Sequence, residues 1–196
     1  MSSSNELHGW LLDIYPDPIQ GVILWLLDED GTRRHRLHQP FPTAFYVHGD
    51  NGSLRTLWRY LKSLSLPIQL SRVEQQDLFK EQPLPVLKVL TETPCAQEQL
   101  FRHLKTSFPD LTYYNADIPL ALRYAAQTHA FPLARCRVLT TDEGEIEALE
   151  TLDSPWMIDT PPVPLLVMVL TPDCNPDHKE PVELKVHLKG KHYRFP

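Results

Sequence analysis

Apolar positions along the chain change period several times, and each change marks an element. Residues 9–15 (GWLLDIY) and 22–27 (VILWLL) are short unbroken apolar runs, the pattern of buried strands. Between them stand the turn formers Pro16, Asp17, Pro18, Gln20 and Gly21. Asp28-Glu29-Asp30-Gly31 predicts a hairpin, because Asp-Gly supplies the positive φ that tight turns need. Residues 33–38 then alternate, and 44–48 (AFYVH) read as a further strand. The expectation is a β-meander of about four strands.

The period then lengthens. Residues 50–53 (DNGS) start a helix whose Leu54, Leu57, Trp58, Leu61 and Leu64 share one face, with Arg55, Arg59 and Lys62 on the other. Strands follow at 68–73 and 84–90 (LPVLKVL). Pro94 opens a second helix with Leu100, Phe101 and Leu104 inward, and 111–114 is a short strand. With the strand before it, this order is β-α-β-β-α-β, the ferredoxin-like or RNA-recognition-like pattern. Residues 113–124 (YYNADIPLALRY) predict a strand end and a helix start. Asp117 is placed to cap that helix, and Pro119 is tolerated in its first turn, where the missing N–H costs nothing. Residues 135–139 (RCRVL) and 145–149 (EIEAL) flank a hairpin at Asp142-Glu143-Gly144. After a stiff connector at 160–164 (TPPVP), 165–170 (LLVMVL) is the most hydrophobic run and is expected to be a central strand. Residues 182–188 and 191–195 form a closing hairpin around Lys189-Gly190. The fold class is α+β: a β-meander plus a ferredoxin-like core, followed by a small β-rich C-terminal segment.

Composition narrows the function classes. The 196 residues carry a net charge of −6 and a pI near 5.8, which argues against a dedicated high-affinity nucleic-acid binder. It leaves room for one positive face. No run of 18 apolar residues is present, so no membrane partner is expected. The first six residues lack the basic and apolar regions of a secretory signal. Cys95, Cys136 and Cys174 are unclustered, with no CxxC pair, pointing to a reduced, cytoplasmic protein without structural zinc. Prolines number 19 and glycines 7, a balance that favours stiff connections.

Candidate chemistry is thin. Isolated glycines build neither G-x-G-x-x-G nor G-x-x-x-x-G-K, and there is no H-E-x-x-H. His35 and His38 face opposite sides of an alternating strand, while His187 and His192 can face each other across the last hairpin. Arg33, Arg34 and Arg36 form one basic cluster, and Lys185, Lys189, Lys191 and Arg194 another. Tyr46, Tyr113 and Tyr114 are candidate stacking platforms for single-stranded nucleic acid. The acidic run 142–150 would face away from DNA.

The string Tyr114-Asn115-Ala116-Asp117-Ile118-Pro119, continuing to Arg123-Tyr124, resembles the Y-x-x-D-I-P-x-x-x-R-Y segment just before the exonuclease domain of family B DNA polymerases. The order of elements around it is similar too. The resemblance implies that residues 1–134 are the polymerase N-terminal domain and 135–196 the start of an exonuclease-like (ribonuclease H-like) domain. The parent would be a DNA-directed DNA polymerase, a nucleotidyltransferase of DNA replication that uses Mg2+. The palm carboxylates are not in these residues, so this chain alone would be non-catalytic, with no cofactor of its own. Its partners would be template DNA, held weakly, and the remaining polymerase domains. The closing hairpin stops where an exonuclease-like sheet would continue, as at a boundary inside a longer protein.

Two family features can be carried onto residues. Family members end the strand after the Pro-rich connector in D-x-E, whose carboxylates hold the metals of proofreading. Here Thr171 stands at the first position and Asp173 at the second, so the resemblance implies a degenerate exonuclease. Asp173 by itself reads as a turn residue. In archaeal members an N-terminal pocket captures template uracil. By resemblance its walls would come from Tyr15, from residues 41–46 including Thr43, Ala44 and Tyr46, from 83–86 ending at Val86, and from Ile118, Leu120 and Arg123. Val86, Ile118 and Arg123 match that pocket, whereas Thr43, Ala44 and Leu120 replace its proline and aromatics. Uracil sensing is therefore expected to be weak or absent. Arg123 also reads as a helix arginine paired to a carboxylate, and Val86 as plain core. The competing reading is a stand-alone RNA-recognition-like module that binds single-stranded nucleic acid or a protein partner.

Overall fold

The computed structural model describes residues 5–195, in two compact units, 1–160 and 161–196. The first four residues of the sequence and the boundary at Pro196 lie outside the described residues.

The first unit contains two sheets. Strands β1 (Asn5–Asp17), β2 (Gly21–Asp28) and β3 (Arg34–Gln39) make the expected meander. Asp17 accepts the N–H groups of Ile19 and Gln20 in the first turn. Gly21, at φ 87°, lies so close to the Gln39 carbonyl that a Cβ would meet it at 2.6 Å. In the second turn the Asp28 carboxylate accepts N–H groups from Thr32 and Arg33. The meander has three strands: residues 43–48 leave it for the other sheet. Its remaining places are filled by β8 (Arg135–Thr140) and β9 (Ile146–Thr151), giving the antiparallel order β3-β2-β1-β8-β9.

β1 makes this possible by its length. Its 13 residues pair with β2 along Gly9–Asp17 and with β8 along Asn5–Trp10. The two sheet edges meet: the His38 N–H donates to the Gly144 carbonyl at 2.9 Å beside a His38–Glu145 bridge. The sheet thus rolls toward a barrel, hiding edge groups that would otherwise invite foreign strands. Leu11, Val22, Leu24, Leu26, Leu37, Cys136 and Val138 fill it. Residues 135–151, expected to begin a separate domain after residue 134, therefore sit in the first sheet, and the division between compact units falls after Thr160.

The second sheet holds β4 (Thr43–His48), β5 (Ile68–Gln75), β6 (Leu84–Thr91) and β7 (Thr112–Tyr114), in the all-antiparallel order β5-β6-β4-β7. Helices α1 (Asn51–Ser63) and α2 (Pro94–Ser107) complete the β-α-β-β-α-β unit expected from the sequence. Asp50 caps α1 by accepting the Gly52 and Ser53 N–H groups at 2.8 and 3.0 Å. Thr93 caps α2, followed by Pro94 in the first turn. Phe45, Val47, Leu57, Leu61, Leu87, Val89, Leu100 and Leu104 form a second core.

A third helix, α3 (Leu120–Thr128), corrects one expectation. It starts three residues after Asp117, with Pro119 at its N-cap and no side-chain cap. Asp117 is exposed and too far before the first turn to reach its N–H groups. The Arg123 N–H bonds to the Pro119 carbonyl instead. From α3, Tyr124 enters the barrel core fully buried, packs tilted against Phe41 with ring centroids 5.1 Å apart and donates its hydroxyl to Gln39 Oε1 at 2.8 Å.

The second unit is a small antiparallel sheet of β10 (Met168–Pro172), β11 (Leu184–Leu188) and β12 (Lys191–Phe195), in that order. Lys189 and Gly190, both at positive φ, close the expected hairpin. The run 165–170 was expected in a central strand. Its last three residues form an edge strand instead, and its side chains stay about half exposed because no second layer of this unit covers them. Among the described residues, no helix is long and apolar enough to cross a membrane.

We predict that Tyr124→Ala destabilises the protein by about 3–5 kcal/mol, the usual range for emptying a buried aromatic site. Tyr124→Phe, which strands only Gln39 Oε1, is expected to cost about 1–2 kcal/mol. Equal midpoint shifts in urea for the two variants would contradict this account.

Candidate nucleic-acid interface

Four of the eight pocket residues named from the sequence come together. Thr43, Ile118, Leu120 and Arg123 line a hollow of about 420 Å³, which also takes Pro16, Gln97, Phe101 and Asp117. The hollow lies where β4, the start of α2 and the 115–120 turn meet. The Glu98–Arg102 ion pair stands among its lining residues. Tyr15 is half-buried on β1 opposite Ile23 and does not reach the hollow, although its neighbour Pro16 does.

Gln97 is a buried polar residue of this hollow. It is 5% exposed, and its Nε2 donates to the Ala116 carbonyl at 3.2 Å. Its Oε1 is buried with no partner. A buried carbonyl left unmatched costs free energy, so it would gain from a donor that a turn of the side chain brought within reach.

Arg123 has a different job from the one its sequence neighbours imply. Its Nη1 donates to the Ala44 carbonyl at 2.8 Å and its Nη2 to the Asn115 carbonyl. Among the described residues it pairs with two backbone oxygens and with no carboxylate. Asn115 sits at φ 58°, which turns its carbonyl toward the guanidinium. Burial pushes the Arg123 pKa down, partly opposed by Tyr46. Arg123 therefore positions the hollow by tying α3 to β4 and the turn.

Tyr46 and Val86 line a second hollow, of about 260 Å³, on the sheet face away from the helices. Val86 is also core, at 2% exposed. In register, Lys88 on β6, Tyr46 on β4 and Tyr114 on β7 form one row across three strands. Such a row offers rings for base stacking beside a cation. Tyr113, alternating to the other side, is not available for it. Its hydroxyl donates to the Leu104 and Phe108 carbonyls, and burial raises its pKa.

The loop between β5 and β6 is anchored over this row. Tyr114 donates its hydroxyl to Asp77 Oδ2 at 3.0 Å, and Asp77 Oδ1 accepts the Phe79 N–H at 2.8 Å. The Phe79 bond holds the Asp77 pKa down against burial, with help from Tyr114 and Lys80. Burial, then Asp77, pushes Tyr114 up. Leu78 and Phe79 stand 94% exposed beside the hollow.

In the second unit Thr171 pairs with Lys185 on the edge strand. Asp173 acts as a turn residue: its carboxylate accepts the Val182 N–H at 3.1 Å. Burial raises its pKa, but hydrogen bonds from the Glu183 region and Val182 bring it below the ordinary value. Among the described residues, no three His, Cys, Asp or Glu side chains gather to hold a metal ion. The basic clusters are partly neutralised, since Arg36 approaches Asp17, and Lys185 and Arg194 share Glu183.

Sequence reasoning missed Gln97, Asp77 and Phe79. Gln97 carried a signal: it lies three and four residues before Leu100 and Phe101, a polar group on an apolar helical stripe. Asp77 and Phe79 belong to a loop with no periodicity to read.

No known protein-family model matches the sequence, and no curated protein matches it. The fold is similar to the solved structure of the family B DNA polymerase from the hyperthermophilic archaeon Pyrobaculum calidifontis, with a TM-score of 0.59 and 21% identity. That similarity covers 96% of this chain and 26% of the polymerase chain. This chain's fold resembles the amino-terminal region of a family B DNA polymerase.

Arg123→Met is expected to cost about 1.5–3 kcal/mol, as for hydrogen bonds from a charged donor. Urea unfolding without a midpoint shift would refute its positioning role. The Asp77 contact also has a pH signature. A carboxyl held below its unfolded value, ordinarily about 3.9 for Asp, stabilises the fold fully above that value and stops doing so as pH falls through the folded pKa. The Phe79 amide resonance is expected to titrate with a midpoint below the ordinary Asp value. A midpoint at or above it contradicts the contact.

Proposed function

We propose that this chain is the non-catalytic amino-terminal portion of a family B-type DNA polymerase, contacting single-stranded template and packing against the remaining polymerase domains. The observation that carries the reading is the hollow beside α3. There Thr43, Ile118, Leu120 and Arg123 meet a buried, unpartnered acceptor on Gln97. A nucleobase turned out of a strand presents N–H donors and an apolar face, and the hollow offers an acceptor, apolar walls and one aromatic ring, Phe101. With a single half-buried ring and no paired aromatics, stacking is limited, which suits loose template contact without uracil discrimination.

The reading extends to the second unit. Thr171 and Asp173, placed by resemblance where proofreading enzymes carry D-x-E, leave one carboxylate, which accepts the Val182 backbone N–H. Two-metal chemistry needs a cage of carboxylates, so proofreading in the parent would be inactive. Polymerisation and its Mg2+ would belong to the palm.

The test is fluorescence anisotropy with a single-stranded oligonucleotide at increasing salt. The expected result is weak binding that falls steeply with salt, as phosphate contacts require. Gln97→Leu is expected to weaken it a further 3–10-fold, about the worth of one hydrogen bond. Binding indifferent to Gln97→Leu would remove the hollow from the account. No binding at low salt would favour a module for a protein partner.

A further inference from the structure

A third groove lies on the opposite side of the ferredoxin-like unit, between α1 and the edge strand β5. It measures about 350 Å³, with Leu54, Trp58 and Leu87 among its walls and Arg55, Arg59 and Arg72 around it. No ion pair among the described residues involves any of these three arginines. Arg72 has only a long hydrogen bond to Asn51 Oδ1, at 3.4 Å. Lys62 adds a fourth cation, 5.8 Å from the Trp58 ring, which is 36% exposed. In a chain of net charge −6, this is a local excess of unmatched positive charge over an apolar floor.

The edge beside it is open. β5 runs for eight residues without proline and pairs with β6 alone, so its outer side presents free backbone donors and acceptors. Phosphates can use only the N–H donors of such an edge, whereas an extended peptide pairs its donors and acceptors alike. Spacing agrees as well. Arg55 and Arg59 are one helical turn apart, about 6 Å of rise. Alternate side chains on one face of a strand are about 6.6 Å apart.

We propose that this groove binds an acidic, extended peptide segment of a partner protein. The segment adds as a strand to β5, places two carboxylates at alternate positions on Arg55 and Arg59, and seats a following apolar side chain between Trp58 and Leu87. Arg72, on the helix-facing side of β5, closes over the second carboxylate. The surface is separate from both hollows described above, and the proposal stands whether or not those bind DNA.

The test uses the whole chain and a fluorescein-labelled heptapeptide, Thr-Glu-Thr-Glu-Thr-Leu-Thr. The expected result is a Kd below about 100 µM at low salt, with added protection of β5 amides from exchange. The double variant Arg55→Glu, Arg59→Glu alters only exposed side chains. It is expected to lose affinity at least about tenfold while its circular dichroism stays unchanged, because charge reversal turns attraction into repulsion. The same peptide with Lys for Glu should not bind. Absence of binding at 1 mM peptide, binding unaffected by the double variant, or unprotected β5 amides would each overturn the proposal. A thymidine oligonucleotide whose binding is lost in the double variant, with the peptide inert, would assign the groove to phosphates instead.

Discussion

Two neighbouring side chains on α3 hold the first unit together. Tyr124 points into the barrel, where its ring packs on Phe41 and its hydroxyl meets Gln39. Arg123 points the other way and grips the Ala44 and Asn115 carbonyls. Consecutive positions on a helix diverge by about 100°, so one short helix can serve two cores at once. The Ala44 carbonyl belongs to β4, whose other face carries Phe45 into the second core. The hollow with Gln97 exists because this clamp sets the distance between β4, α2 and the 115–120 turn.

How much of this was legible in the sequence depends on range. The helix starts at Asp50 and Pro94, the hairpin at Lys189-Gly190 and the β-α-β-β-α-β order follow from local chemistry, and they appear as read. Strand membership does not. Residues 44–48 carry the same alternating pattern whichever sheet they join, and the choice is made by packing against α1 and α2. Strand β1 shows in the sequence only through its apolar centre. Its first residues, Asn5 to His8, are held by β8, a partner about 130 residues away. Asp117 misled because a capping residue was judged by type before the helix start was known.

The site was half legible for a related reason. The segment from Tyr114 to Tyr124 borders both hollows, and residues assigned to one pocket are divided between them, with Tyr15 and Ala44 lining neither. Arg123, read either as a pocket wall or as a helix arginine paired to a carboxylate, ties two backbone carbonyls together. The buried acceptor beside the larger hollow, Gln97, comes from a helix that the resemblance did not use. Charge distribution explains how an acidic chain can still offer anionic partners a footing. Its cations are gathered at particular edges, Arg55, Arg59 and Arg72 among them, while the acidic run 142–150 borders the barrel.

The double pairing of β1 bears on the order in which the chain takes shape during synthesis. Residues 43–114 contain a complete sheet, two capped helices and their own core, so this half can assemble as soon as it clears the ribosome. The meander that precedes it cannot finish. Until residues 135–151 emerge, β1 keeps one bare edge, and the apolar side chains of β2 lack the lid formed by Tyr124, Cys136 and Val138. The nascent protein therefore passes through a stage in which the meander, although made before residues 43–114, is less protected than they are. For that interval, the strands most in need of a chaperone are those made before their partners.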